Sequence, residues 1–337
     1  MNLTPINAGY ACINLSLRVD NVMTNRGMIK KTFAQKGIAH ASELALKNVR
    51  DLLTIVDWNL SHGFGLFRIS SDLFPWASEY RIAHLPDYSE IRATLEEIGA
   101  RPIRLTIHPG PFNHLTGQGK TLDNTIVDLE YQSDVFDLMG LTPSHWNKIN
   151  IHAGGSYGDK AATLARFCRN FQLLSENLRA RLTVENDDRP SLYDVADLVS
   201  VYETIGTPVV FDYFHHALHP GNLTQEEAFT MAYDTWDVRP VFHYSDSRRE
   251  REDPKARREA HADWLYSPVN TYGKDVDIVF ESKMKELSIL RLRGEEPEIT
   301  PKLAKLINRQ KKQDPEAPPV ELVEPETGEP GLLEQIG

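Results

Sequence analysis

The sequence predicts a (β/α)8 barrel with a cluster of metal ligands at one mouth, on three observations. Eight short runs rich in β-branched and aromatic residues recur near 7–13, 65–70, 102–108, 148–153, 181–186, 208–213, 239–244 and 276–281. Longer helix-patterned stretches separate them, the signature of repeated βα units. Six apolar runs end on a residue able to bind a metal: RLTIH at His108, KINIH at His152, LTVE at Glu185, VVFD at Asp212, PVFH at His243 and DIVFE at Glu281. His215 follows Asp212 in FDYFHH. Finally, 337 residues suit one barrel plus an appendage. A doubly wound sheet also alternates strands and helices, but only a closed parallel barrel gathers so many strand C-termini around one mouth.

Along the chain, AHASELALKNVRDLLTIVDWNLSHG (39–63) and LYDVADLVSVYETIG (192–206) carry clear helical patterns. In the second, Ser191 is expected as N-cap and Gly206 as the C-terminal stop. The charged stretch 245–264 is an insertion after the seventh strand, where barrel loops bear on substrate. It reads equally as a phosphate grip and as a solvated charged segment. Residues 1–294 form the expected barrel domain. The Pro/Glu-rich tail 295–337 is expected to be disordered beyond a short helix around 301–312.

Composition is that of a soluble globular protein, 41% hydrophobic and 25% charged. No run approaches the roughly 20 apolar residues of a membrane span, and the N-terminal residues lack a signal-peptide pattern. Two cysteines, Cys12 and Cys168, give no disulfide framework, so a cytoplasmic location is expected. The net charge of −11 divides into −5 over 295–337 and −6 ahead of it, a load that two or three divalent cations would largely cancel. Charge therefore leaves a DNA partner open.

Any one of these histidines reads best as an ordinary hydrogen-bonded residue; the repeated placement at strand ends is what points to metal. Imidazole with carboxylate suits Zn²⁺, Mn²⁺ or Fe better than Ca²⁺ or Mg²⁺ alone. Glu185, in the middle of the series, could bridge two ions roughly 3.5–4 Å apart, the spacing that clamps the oxygens of a phosphodiester displacement.

The segments GYACINLSL (9–17), FRISSDLFP (67–75), LTIHPGPF (105–112), NIHAGGSYGDK (150–160), LTVENDDR (182–189), FDYFHH (211–216), FHYSDSR (242–248) and DIVFESKMKE (277–286) together resemble the UV damage endonuclease family. That family is related to barrel nucleases of the endonuclease IV type. The resemblance spans nearly the whole barrel and leaves the tail out; VENDD and His-Pro-Gly are its most specific motifs. It implies a DNA-repair endonuclease that cuts damaged double-stranded DNA immediately 5′ to UV lesions, by attack of a metal-activated hydroxide, leaving a 3′-hydroxyl and a 5′-phosphate. It implies metal ligands at His108, His152, Glu185, Asp212, His215, His243, His261 and Glu281, with Glu185, His108, His152 and Glu281 central to the chemistry. His108, His152 and Glu185 would hold one ion, and Glu185, Asp212, His243 and Glu281 a second. His215 with His261 would serve a third. Manganese is the first expectation for these two or three ions, with magnesium, zinc or cobalt as alternatives. Tyr10, Asn14, Pro111, Phe112 and Lys283 fall on positions expected to meet DNA or the lesion, and the protein is expected to act as a monomer.

Three departures stand out. Pro111 occupies a position where the family has glutamine, so Phe112 alone would wedge. Val241 replaces a lysine that the family carries at the metal site, and Glu79 lies near a family histidine. Competing readings are an abasic-site nuclease, a metal-dependent sugar isomerase-like barrel, and a damage-binding protein without activity.

Overall fold

The computed structural model describes residues 7–313. Eight parallel strands form one sheet: β1 Ala8–Ala11, β2 Leu66–Ile69, β3 Arg104–Ile107, β4 Ile149–His152, β5 Leu182–Glu185, β6 Val209–Val210, β7 Val241–Tyr244 and β8 Asp277–Phe280. Their order is β6-β5-β4-β3-β2-β1-β8-β7. A parallel bridge between Asp212 and His243 joins the two ends and closes the barrel, reinforced by the His243 amide donating to the Phe211 carbonyl at 3.0 Å. Every expected strand is present, trimmed at its ends.

The helices are α1 Leu15–Arg18, α2 Lys30–Ser61, α3 Tyr88–Gly99, α4 Lys120–Leu138, α5 Lys160–Phe171, α6 Glu176–Arg179, α7 Val195–Ile205, α8 Tyr213–Leu218, α9 Gln225–Tyr233, α10 Arg248–Arg251, α11 Lys285–Leu292 and α12 Pro301–Gln313. The helix expected from 39 starts at Lys30, and its first turns are set off by a break at Gly37, where φ is 63°. That backbone is open to glycine at little steric cost. In α7 the N-cap is Asp194, which forms a capping box with Asp197, and Gly206 ends the helix at φ 74°. The expected cap Ser191 lies three residues too early; the carboxylate of Asp194 is the one within reach of the free amide at Asp197, 2.9 Å away.

Strand alternation divides the side chains into two sets. One face packs Tyr10, Phe67, Ile69, Leu105, Ile107, Ile149, Ile151, Phe242 and Phe280 against the surrounding helices. The other fills the barrel. Its floor holds the buried pair Arg104–Asp277 at 2.9 Å, with Arg104 also donating to the carbonyls of Trp146 (2.7 Å) and Arg239 (2.8 Å). Above the floor, Leu66, Val241 and Val279 pack with Ala11. The topmost inward positions are the strand-end histidines and carboxylates.

The compact body does not stop at 294: α12 docks against the barrel through Leu303, which is buried with Leu15, Met284 and Leu287, while Leu306 and Ile307 pack beside them. The apolar stripe of this helix is its physical reason, since it can be buried only against another apolar face. The rest of the expected disordered tail, 314–337, lies outside the described residues. The insertion 245–264 is built rather than simply solvated. An antiparallel bridge pairs Ser247 with His261, and buried Arg248 donates to Asp263 at 3.0 Å. The amide of Lys283 donates to Ala262 O at 3.1 Å and that of Met284 to Asp263 O at 2.9 Å, tying the insertion to the residues after β8.

A candidate metal centre at the barrel mouth

The register explains the convergence. His152 pairs with Glu185 across β4 and β5, and Asp212 pairs with His243 across the closing seam. Glu185, 1% exposed, is the hub of this cluster. Its carboxylate lies 3.2 Å from His108 Nε2, 3.3 Å from His215 Nδ1 and 3.1 Å from His243 Nδ1. His243 Nδ1 is also 3.5 Å from Glu281. Two sets of ligand atoms fall within the span of a single ion: His108, His152 and Glu185, and Glu185, Asp212 and His215. Glu185 belongs to both.

This grouping revises the expected assignment. His215 joins Glu185 and Asp212 and does not stand apart with His261. The reason is local: Asp212 caps α8 by accepting from the His215 amide at 2.7 Å, and His215 Nδ1 donates to the Asn186 carbonyl at 3.0 Å, which holds the ring at the strand ends. His261 sits on the inserted segment with its ring 5.4 Å from Phe214, and its charge acts on Glu281. Glu79 is exposed and outside both sets.

The buried polar atoms fit a cation. His152 Nδ1, His243 Nδ1 and Asp212 Oδ2 are buried without a hydrogen-bond partner. The two imidazole nitrogens nevertheless lie within 3.0–3.1 Å of carboxylate oxygens, of Asp187 and Glu185 respectively. Asp187 orients the His152 ring, while the unpartnered His243 Nδ1 and Asp212 Oδ2 are buried polar atoms that a cation would satisfy. His108 Nδ1 faces the Pro109 carbonyl at 3.1 Å; a carbonyl only accepts, so that nitrogen carries the proton and Nε2 is left as a donor of its lone pair.

Electrostatics follow from burial opposed by charge. Burial works against ionised Glu185, yet His243 and His152 hold its carboxyl well below the usual range. Burial would depress the His152 imidazolium, but Glu185 and Asp187 raise it to about 9. Burial carries Asp212 up to about 7, against the pull of His215. It also drives His243 down to about 4, only partly offset by Glu185. Site carboxylates and imidazoles thus sit far from their ordinary ranges, as expected where function concentrates charge.

Several members of the site escaped the sequence reading. Arg68 on β2 is ion-paired with Glu281. Asn150 donates to Glu185 and is itself fixed by Thr183 Oγ1 at 2.9 Å. Asn186 braces Asp212 from both sides, accepting from its amide at 2.8 Å and donating to its carbonyl at 3.1 Å. Lys148, fully buried, reaches from the start of β4 to place Nζ 3.1 Å from His243 Nε2. Burial lowers this ammonium to about 7, against the attraction of Glu185. Val241, by contrast, contributes only packing. Counting back in twos from His152 would have flagged Asn150 and Lys148 as inward-facing.

The expected DNA-contacting residues divide. Phe112 is 85% exposed at the tip of the loop after β3, with exposed Pro111 beside it. Lys283 lies half-buried between β8 and α11. Tyr10 and Asn14, at 0% and 1% exposure, offer no surface to DNA in this conformation. Tyr10 points into the strand–helix layer, where its hydroxyl donates to Asn59 (2.5 Å) and accepts from Asn14 (2.8 Å). It is a β-strand aromatic with a satisfied hydroxyl, and Asn14 caps α1.

A closed parallel barrel whose C-terminal mouth is lined by buried imidazoles and carboxylates defines the class: a TIM barrel with a candidate centre for more than one ion. A sequence profile of the UV-endonuclease UvdE family matches residues 6–308. The chain belongs to that family, which makes it a DNA-repair endonuclease directed at UV damage. A UV DNA damage endonuclease from Bacillus mycoides is 33% identical over 266 residues, covering 74% of this chain and 80% of the relative. The UV-damage endonuclease of Schizosaccharomyces pombe is 32% identical over 302 residues, covering 84% of this chain and 49% of the fungal protein, so the chain spans about half its length. The crystal structure of SacUVDE superposes with a TM-score of 0.73 at 28% identity, over 91% of this chain and 99% of that one.

Proposed function

We propose that this protein hydrolyses the phosphodiester bond immediately 5′ to pyrimidine dimers and 6-4 photoproducts in duplex DNA, leaving a 3′-hydroxyl and a 5′-phosphate. The observation that carries the reading is Glu185, buried and shared between two sets of ligands. Divalent cations, manganese foremost, held by His108, His152 and Glu185 and by Glu185, Asp212 and His215 would supply water ionised near neutral pH and charge neutralisation at the phosphate. The remaining roles belong to the chain. Asn150 and the three imidazoles around Glu185 fix its carboxylate. Arg68 holds Glu281 ionised at the same mouth. Asp187 keeps the His152 ring oriented, and Lys283, beyond β8, would meet a phosphate.

Phe112 fits the part of a wedge. A distorted dimer is cheap to unstack, and an exposed aromatic can fill the space that extruded bases leave. No helix among the described residues is long and apolar enough to cross a membrane, and we read the protein as a cytoplasmic monomer. Incubation with a duplex bearing one pyrimidine dimer, with Mn²⁺ and with EDTA, tests the proposal. Manganese-dependent nicking beside the dimer is expected, and an uncut duplex would sink it. Cutting at an abasic analogue but not at the dimer would move the substrate to abasic sites.

A further inference from the structure

The loop that leaves His152 carries a feature that the metal centre does not use. Tyr157 is 66% exposed and sits at φ 49°, between Gly154 at φ 101° and Gly158 at φ 82°. For a bulky residue this left-handed backbone costs energy, roughly 1–3 kcal/mol, and the ring gains no core packing in return. What it has instead is support. The guanidinium of Arg166 lies 5.1 Å from the ring centroid, while Nε of the same arginine donates to the Thr116 carbonyl at 2.8 Å.

Thr116 belongs to the neighbouring loop that presents Phe112, and the two loops are fastened at several further points. Thr116 Oγ1 donates to the Ala153 carbonyl at 3.0 Å. Asn170 of α5 donates to the Leu115 carbonyl at 2.6 Å, and Thr163 donates to the Ser156 carbonyl at 2.8 Å. At Gly154 a Cβ would come within 2.8 Å of the His114 side chain, so the loops press together where only glycine fits. Phe112 and Tyr157 are therefore exposed aromatic rings on two neighbouring loops at the barrel mouth that are tied together at Leu115, Thr116 and the His114–Gly154 contact.

We propose that Tyr157 is a second lesion-reading residue, stacking on a nucleobase displaced by the damage while Phe112 wedges beside it. The inference rests on the reading of the chain as acting on damaged DNA. Prior bracing is what such a role needs, because a rigid ring loses little freedom on binding. Base–aromatic stacking corresponds to roughly five- to hundredfold in affinity.

The test measures the affinity ratio of the full chain for a duplex with one cyclobutane dimer over its undamaged counterpart, in EDTA so that no incision competes. Tyr157→Ala should lower the ratio about tenfold, and Tyr157→Phe should keep it. Tyr157→Gly should lower it as well while melting no lower than wild type, since glycine relieves the left-handed backbone. Full discrimination in the alanine and glycine variants of a discriminating wild type would overturn the proposal. Equal weakening toward both duplexes would overturn it too. A wild type without any preference would instead fail the functional reading itself.

Discussion

Lys148 and Glu185 face opposite sides of the His243 ring, and their different burdens make different predictions. Glu185→Gln removes a shared anionic ligand but leaves the mouth loops untouched. Incision of a dimer-containing duplex should be abolished, while gel-shift affinity for the same duplex stays within a few-fold of wild type; retained cutting would contradict the assigned role. Lys148 is a base held down to about 7 by burial, against about 10.4 in an unfolded chain. Between those values the unfolded state binds more protons, so this lysine penalises folding most below pH 7 and progressively less up to about pH 10. Lys148→Met removes the penalty. In EDTA, the stability of the variant relative to wild type should be greatest near pH 7 and decline toward pH 10, by at most about 1.4 kcal/mol per pH unit. A pH-independent difference in urea midpoints would show that the buried ammonium is not the cause. At this scale the convergence of the strand-end histidines and carboxylates was legible, since an apolar run fixes which way its last side chain faces. The role of Lys148 was not, because alternation in KINIH turns its side chain inward but does not reveal that Nζ meets the His243 ring on another strand.

Among the elements, α12 and the loop after β3 show what pattern can and cannot tell. The short helix near 301–312 was expected, but its partner face, formed by Leu15, Met284 and Leu287, is far away in sequence and could not be inferred from local composition. Leu303, 3% exposed, is the anchor. Leu303→Ala should cost about 2–5 kcal/mol, read as a shift in the urea unfolding midpoint; a change below about half a kcal/mol would mean the helix does not stabilise the barrel. Phe112 makes the converse case. Its exposure costs the fold nothing, so Phe112→Ala should leave the melting temperature unchanged. Lesion discrimination should fall roughly five- to hundredfold, as measured by competition between damaged and undamaged duplex. Unchanged discrimination would remove it from the mouth's reading surface. Tyr10 shows the limit of motif reading: the run GYACINLSL marks the first strand, but only packing reveals that its tyrosine faces the helices.

For the whole molecule, the barrel and the gathering of candidate ligands at its mouth were legible because eight strands with a repeated ending leave few alternative topologies. How the ligands partition was not, since that depends on the turn at Asp212 and the ring of His215. With two ligand sets sharing one carboxylate, elemental analysis of Mn²⁺-loaded protein should count two ions per chain. A third would require a site built by His243, Glu281 or His261. Adding Mn²⁺ to EDTA-treated protein should raise the melting temperature by several degrees, since about 2.7 kcal/mol accrues at a hundredfold excess over Kd; no shift would count against the centre.

The closure of the barrel has a consequence of its own. Most strand pairs zip over two to four residues, but β3 meets β4 at the one pair Ile107–Ile149, and β6, only two residues long, meets β7 at the single bridge from Asp212 to His243. The narrow closing seam of the barrel therefore runs through two residues of the candidate metal centre. A cation drawn to this cluster would act as a rivet as well as a reagent, fastening the staves of the barrel where a single bridge closes it. Opening of that seam, seen as faster amide exchange at Val210 and His243 in EDTA than in manganese, would make stability and chemistry two readings of one occupied site.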